Sequence, residues 1–143
     1  MAWYNFLNFF KTEKKVEPLK HQHIYAYDFD GVVSIGVTPR HENDVIITGR
    51  CEEEAEYVYS VLEERGIKNK VYFNPMTLED RGNHTLKSRR YSGKHKAKTI
   101  QRLSAKAIHV DRFFEDDRVQ AKIVSEKWPK IQMVIVDSKL VEK

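Results

Sequence analysis

The strongest structural signal in the sequence is the run Ile24-Tyr-Ala-Tyr-Asp-Phe-Asp-Gly-Val-Val33. It begins as the apolar, aromatic run that is typical of a buried strand, and it breaks at Gly31, where a residue without a side chain allows a sharp turn at little cost. The pattern therefore predicts a strand that places Asp28 at its carboxyl end. A tight hairpin turn at Asp30 and Gly31 is the structural alternative.

Outward from this stretch, strand patterns alternate with helix patterns. Short apolar runs predict further strands at residues 45–48, 71–74, 112–115 and 133–136. Helical spacing of apolar residues predicts helices at 52–65, at about 94–104 and at 119–128, and a polar loop is expected over 78–92. This alternation predicts an α/β fold, a three-layer Rossmann-like sandwich around a mostly parallel five-stranded sheet.

The N-terminal region differs from the rest of the chain. Trp3, Phe6, Leu7 and Phe10 recur at helical spacing, and a lysine-rich stretch follows them. We expect an amphipathic arm over residues 1–20 that packs on its own domain, docks to a partner or lies on a membrane surface. A single globular domain is expected over residues 21–143.

Composition limits the class of protein. Hydrophobic residues make up 41% and charged residues 32% of the 143 residues, which favours a globular protein over a disordered one. No apolar run reaches the roughly 20 residues of a transmembrane segment. The N-terminus has no secretory-signal pattern, and the single cysteine, Cys51, has no internal partner for a disulfide. A cytoplasmic location is therefore expected.

Charge is segregated along the chain. The formal net charge is +4, with basic residues concentrated between Arg81 and Lys106 and acidic residues at 52–56 and 111–117. A solvated surface and a face that binds phosphate or nucleic acid both remain open for the basic tract. The six histidines show no metal-binding spacing, and surface or packing roles are expected for them.

Polar residues follow the predicted strands at the points where those strands end. They are Asp28, Asp30, Thr48 and residues 115–117. The carboxyl ends of parallel strands meet at one edge of a sheet, where several carboxylates repel one another unless a cation neutralises them. Mg²⁺ prefers oxygen ligands and commonly binds substrate phosphates, so the pattern favours a magnesium site for phosphate chemistry. An ordinary turn at 48–50 and an acidic loop or helix cap at 115–117 are the alternatives.

Four motifs in order resemble those of the haloacid dehalogenase-like phosphohydrolase superfamily, over roughly residues 24–136. They are Asp28-Phe-Asp-Gly-Val, Ile46-Ile-Thr-Gly-Arg50, a downstream lysine and Phe114-Glu-Asp-Asp117. The resemblance implies that Asp28 attacks the phosphate to form an aspartyl-phosphate, while Asp30 protonates the leaving oxygen and then activates water. It also implies the sheet order 5-4-1-2-3.

The same resemblance assigns the supporting residues. Thr48 hydrogen-bonds the phosphate, with Gly49 and Arg50 beside it. Lys96 fits the catalytic lysine best, although Lys94, a further phosphate-binding candidate, and Lys98 stay open. Asp28, Asp30, Asp116 and Asp117 are the expected Mg²⁺ ligands, with Glu115 able to shift the register of the last motif by one.

About 20 residues separate Asp28 from Thr48, too few for an inserted cap domain. An open site that admits a macromolecular end is expected. Thr-Gly-Arg and Glu-Asp-Asp-Arg118 are similar to polynucleotide 3'-phosphatase domains of the superfamily. The motifs and this resemblance thus predict a Mg²⁺-dependent phosphatase acting on nucleic-acid ends or nucleotides, and a broad-specificity small-molecule phosphatase with a basic surface is the alternative substrate class. Tyr91 is either a base-stacking residue or an ordinary exposed loop tyrosine. A catalytically weak phosphate-binding or interaction module on the same fold is the alternative.

Overall fold

The computed structural model describes residues 19–139. The elements in chain order are β1 (Gln22–Tyr27), β2 (Val45–Cys51), α1 (Ala55–Glu64), β3 (Val71–Asn74), α2 (Leu78–Arg81), α3 (Leu86–Ala105), β4 (Ile108–Glu115), α4 (Arg118–Lys127) and β5 (Gln132–Ile135). Within these residues, no helix is long and apolar enough to cross a membrane. The amphipathic arm predicted for residues 1–20 lies outside the described residues, apart from Leu19 and Lys20.

The predicted α/β fold is confirmed. All five strands are parallel, and their order is β3-β2-β1-β4-β5, which is the expected 5-4-1-2-3 arrangement. Strand β1 is central, hydrogen-bonded to β2 on one side and to β4 on the other. Asp28 follows directly after it, so the central strand delivers this carboxylate to the carboxyl edge of the sheet.

Two apolar clusters pack helices onto the two faces of the sheet, which gives the fold its three layers. Ile24 and Ile47 on one face pack with Ile100 of α3 and Val124 of α4. The opposite face packs against α1 through a second cluster, which comprises Tyr27, Phe29, Val32, Val33, Ile46, Val58, Leu62, Ile67 and Val71. Strands covered on both faces carry apolar residues at consecutive positions, which explains the uninterrupted apolar run at the start of β2.

The predicted loop over residues 78–92 is wrong. The short helix α2 lies there, and α3 begins at Leu86, well before the predicted start near Lys94. Side-chain caps set both starts, because Thr77 Oγ1 accepts the Asp80 amide at 3.1 Å and Thr85 Oγ1 accepts the Ser88 amide at 3.0 Å. Lys94, Lys96 and Lys98, which a helix starting near residue 94 would carry in its first turn, therefore lie inside a 20-residue helix, away from the positive end of its dipole.

Smaller differences concern element ends. Strand β2 continues past Thr48 to Cys51, with a register shift against β3, and β4 starts four residues before the predicted run. Residues Glu52–Glu54 form a 3-10 turn ahead of α1. Between β1 and β2 the chain contains a 3-10 turn at Val33–Ile35 and no α-helix. The short connection leaves the end of β1 without a covering domain.

Candidate active site

The site is built around a buried lysine that bridges two buried carboxylates. Lys96 Nζ lies 2.8 Å from Asp28 Oδ1 and 2.7 Å from Glu115 Oε2. The side chains of Lys96, Asp28 and Glu115 are 1%, 7% and 0% exposed. Burial lowers the pKa of Lys96, but the charges of both carboxylates outweigh it and hold this pKa above its ordinary value. The lysine is therefore a permanent cation at the centre of the site.

The structure distinguishes among the three candidate lysines. Lys94 and Lys98 are exposed on α3, whereas Lys96 is directed into the interior by its position on the buried face of the same helix. Residues two apart on a helix project from different faces, so only one member of this Lys-x-Lys-x-Lys run reaches the carboxylates.

A third carboxylate joins the first two. Asp28, Glu115 and Asp116 each offer an oxygen within 4.8 Å of the others, an arrangement that can hold a metal ion. Burial is the main cause that raises the pKa of Asp28 and of Glu115, and repulsion among the acids adds to it. One lysine does not balance three buried carboxylates, so the cluster suits a divalent cation.

Gly31 allows this cluster to form. Its φ of +75° lies in the left-handed region that favours glycine, and a Cβ there would overlap the Asp116 carboxylate and lie 2.8 Å from Ser138 Oγ. Ser138 also donates a hydrogen bond of 2.7 Å to Asp116 Oδ2. The glycine thus meets two demands at once, a backbone turn and the close approach of a site carboxylate.

Asp30 lines the same cavity but lies outside the three-carboxylate group. Both of its oxygens accept hydrogen bonds from the Arg50 guanidinium, at 2.8 to 3.1 Å. Arg50 also contacts Glu54 at 3.1 Å, and its guanidinium carbon lies 4.7 Å from the centre of the Tyr57 ring. Contacts with these three residues therefore fix the position of Arg50 beside the cavity.

Asp117, a predicted metal ligand, is occupied by protein groups. It caps the N-terminus of α4 by accepting the Val119 amide at 2.9 Å, and Arg89 binds both of its oxygens at 2.7 and 2.9 Å. Burial raises the pKa of Asp117, but the hydrogen bonds from Arg89, Gln120 and the Val119 amide outweigh it and hold this pKa below its ordinary value. The structure thus places Glu115 inside the three-carboxylate group. Asp117 lies beside that group, where it anchors the N-terminus of α4.

The second predicted motif lies beside the first. Thr48 is fully buried, and its Oγ1 accepts the Arg50 amide at 3.1 Å. Gly49 lines the cavity next to Arg50 and lies against Ser92 of α3, where a Cβ would overlap the serine side chain. Of this motif, Gly49 and Arg50 form part of the cavity wall. Thr48 lies behind them and holds the backbone through its hydrogen bond with the Arg50 amide.

The cavity has a volume of about 580 Å³. Several lining residues were not predicted as site residues: Arg81, Asn83, His84, Ser88, Arg89, Ser92 and Gln120. The basic tract that starts at Arg81 is the sequence signal that includes most of them. Comparison of the chain with protein-family models, curated proteins and solved structures found no match. The chemistry of this cavity is therefore the basis for a functional assignment.

Proposed function

We propose that this chain is a Mg²⁺-dependent phosphomonoester hydrolase of the haloacid dehalogenase-like type, with Asp28 as the nucleophile. The observation that carries the proposal is the Lys96 bridge, which holds Asp28 at the end of the central strand next to Glu115 and Asp116. Carboxylates at this edge of a parallel sheet, with a fixed cation, match the needs of phosphoryl transfer.

The contacts of Asp28 define how it would react. The Phe29 amide and Lys96 Nζ both donate to Oδ1, each at 2.8 Å, which leaves Oδ2 to attack phosphorus. A bond forms between Oδ2 and phosphorus while the ester P–O bond breaks, and Asp30, released from Arg50 and in its carboxylic acid form, gives its proton to the leaving oxygen. Asp30 then takes a proton from water, whose oxygen attacks the aspartyl-phosphate, releasing phosphate and restoring Asp28.

Charge neutralisation is shared between the protein and the metal. Both oxygens of Glu115 accept hydrogen bonds from the protein, one from Lys96 Nζ and one from the Asp117 amide, and both oxygens of Asp117 bind Arg89. Asp28 and Asp116 are therefore the proposed Mg²⁺ ligands. Mg²⁺ at this position would supply positive charge to the phosphoryl oxygens. Lys96 offsets the charge of the nucleophile and stabilises the negative charge that develops in the transition state.

The surface beside the cavity favours a polyanionic substrate. Helix α3 contains no acidic residue, and its exposed face carries Lys87, Arg90, Lys94, Lys98 and Arg102. Successive cations three or four residues apart rise by about 4.5 to 6 Å along a helix. Ser88, Ser92 and Lys96 of the same helix line the cavity. We propose that this cationic face holds the backbone phosphates of a nucleic-acid strand whose terminal phosphate enters the cavity.

The hydrolase proposal is tested by phosphate release from an aryl phosphate, with Mg²⁺ and with a chelator. Asp28→Asn should abolish turnover, whereas Glu126→Gln, which alters an exposed carboxylate on α4, should leave it intact. Undiminished turnover in the Asp28 variant would exclude this residue as the nucleophile.

The substrate class is tested separately with a panel of 3'- and 5'-phosphorylated oligonucleotides, mononucleotides, sugar phosphates and phosphopeptides. Oligonucleotide ends should be preferred, and the preference should fall as salt is added. Lys98→Gln should weaken it, with the exposed Lys68→Gln as the matched control. Equal rates on sugar phosphates and oligonucleotides at low salt would contradict the nucleic-acid assignment without affecting the hydrolase assignment.

One observation favours a second candidate, a phosphate-binding module without turnover. Arg50 holds both oxygens of Asp30, the residue proposed to transfer protons. If this pair persists when a phosphorylated ligand binds, the site recognises phosphate but does not hydrolyse it. Saturable binding of phosphorylated ligands by the wild-type chain, with no phosphate released across the whole panel, would support the module.

A further inference from the structure

A cluster of histidines lies at the amino ends of the two central strands, at the opposite edge of the sheet from the candidate active site. His21 directly precedes β1, and His23 lies on it. His109 and Asp111 lie on the neighbouring strand β4, where His109 pairs in register with His23. Sequence spacing does not reveal this cluster, because 85 residues lie between His23 and His109 and the parallel pairing of β1 with β4 brings them together.

The cluster is joined by pairwise contacts between neighbouring side chains. His21 Nδ1 and His109 Nε2 lie 2.7 Å apart, and their rings stack with centroids 5.0 Å apart. The ring of His23 lies 5.2 Å from that of His109. His23 Nδ1 lies 2.9 Å from Asp111 Oδ1, so the carboxylate favours the tautomer with the proton on Nδ1 and the lone pair on Nε2.

We propose that His21, His23 and His109 bind a borderline first-row divalent cation, with Zn²⁺ as the representative ion, and that Asp111 orients His23. Two ligand nitrogens of a tetrahedral zinc site, with Zn–N bonds of about 2.0–2.1 Å, lie about 3.3 Å apart, so the His21–His109 pair needs only to open slightly. The His23 side chain is 61% exposed, and it would have to rotate toward the pair to complete the set. A carboxylate that accepts the second N–H of a ligand histidine is a common support for such sites.

This site is distinct from the carboxylate cluster in place and in chemistry. Imidazole ligands suit Zn²⁺, Ni²⁺ and Cu²⁺, whereas the all-oxygen cluster at Asp28 and Asp116 suits Mg²⁺. An ion held jointly by β1 and β4 would cross-link the central strand pair and stabilise the folded chain in proportion to its occupancy. The inference is independent of the proposed hydrolase activity.

The test is a calorimetric titration of the full, untagged chain with Zn²⁺, in an excess of Mg²⁺. We expect one Zn²⁺ site, and we expect His21→Ala and His109→Ala each to weaken it by at least about tenfold and Asp111→Asn by about tenfold. His41→Ala, which removes an exposed histidine elsewhere, should leave the affinity unchanged. The same titration of Asp116→Asn separates the two metal sites.

Retained affinity in both His21→Ala and His109→Ala would overturn the proposal, as would absence of Zn²⁺ binding by the wild-type chain. Loss of the Zn²⁺ site in Asp116→Asn would also overturn it, since that result places the ion in the carboxylate cluster. A Zn²⁺-dependent rise in the melting temperature that disappears in His21→Ala but persists in His41→Ala would support the cross-linking role.

Discussion

Arg50 holds both carboxylate oxygens of Asp30, through contacts of 2.8 to 3.1 Å from Nε and Nη2. The hydrogen bond with Asp30 is the largest cause that raises the pKa of Arg50. A substrate phosphate carries more negative charge than a carboxylate, and it can accept the same two parallel hydrogen bonds from the guanidinium. We therefore expect the substrate to displace Asp30 from Arg50, so that the carboxylate proposed to transfer protons is released only when the site is filled.

Replacement of Arg50 tests this exchange. Arg50→Ala should lower kcat/KM for an aryl phosphate by about 10²-fold, because a preorganised cation for the phosphoryl oxygens is lost. Steady-state kinetics measure the effect, with Arg65→Ala, an exposed arginine at the end of α1, as the control. An unchanged or higher kcat/KM in Arg50→Ala would show that Arg50 restrains Asp30 without binding substrate.

Lys96 should be essential for both stability and activity. Lys96→Met keeps most of the side-chain volume but leaves Asp28 and Glu115 buried without their cation. Breaking such a buried pair costs about 3–5 kcal/mol, measurable by urea unfolding. Phosphate release should also be lost. Lys98→Met, on the exposed face of the same helix, is the control for stability, and equal free energies of unfolding in the two variants would contradict the bridging role.

The strands of the fold were predictable because their signals are local. Each predicted strand overlaps an observed one, and residues 71–74 coincide with β3. The start of α3 was missed because the buried residues ahead of Lys94 are Ser88, Ser92 and Gly93. Polar residues at buried positions remove the apolar periodicity by which a helix is recognised. Ser88 and Ser92 line the cavity, so the prediction failed near the site.

The candidate site was predictable in position and less so in detail. Strand ends placed Asp28 and Asp116 together, as the rule for parallel sheets requires. The roles of Glu115 and Asp117 depend on Lys96 and Arg89, which approach from α3. A long-range ion pair leaves no spacing pattern in the sequence, so adjacent acids cannot be told apart without the fold.

Asp116 and Asp117 should therefore respond differently to the same substitution. Asp117→Asn loses the charge that holds Arg89 and caps α4, and we expect it to lower the free energy of unfolding by about 1–3 kcal/mol. Asp116→Asn should mainly raise the Mg²⁺ concentration needed for half-maximal activity. Urea unfolding and Mg²⁺ titration of both variants give the comparison. The reverse pattern would make Asp117 the metal ligand.

Gly31 should tolerate no side chain. Gly31→Ala places a Cβ against the Asp116 carboxylate, so the three-carboxylate group must shift. Gly66→Ala is the matched control, because Gly66 has a similar φ of +69° but nothing lies within 4 Å of its added Cβ. Both variants carry the left-handed penalty of about 1–2 kcal/mol, and only Gly31→Ala should also lose phosphate release. Activity in Gly31→Ala equal to that in Gly66→Ala would show that the contact is unimportant.

The buried His95 should make the stability of the folded chain depend on pH. Burial is the main cause that lowers the pKa of His95 to about 4, from 6.5 in the unfolded chain. The unfolded state then binds more protons between these values, so the free energy of unfolding should fall as pH drops from about 6.5 toward 4. The contribution is on the order of 3 kcal/mol.

Urea unfolding of the wild type and of His95→Gln across this range isolates that contribution. The variant has no group to protonate at this position, so its stability should depend less steeply on pH between 6.5 and 4. His41→Gln, which removes an exposed histidine, controls for the loss of any imidazole, and it should keep the wild-type slope. If His95→Gln kept the wild-type slope as well, the acid sensitivity would arise from other groups and the buried neutral state of His95 would be disproved.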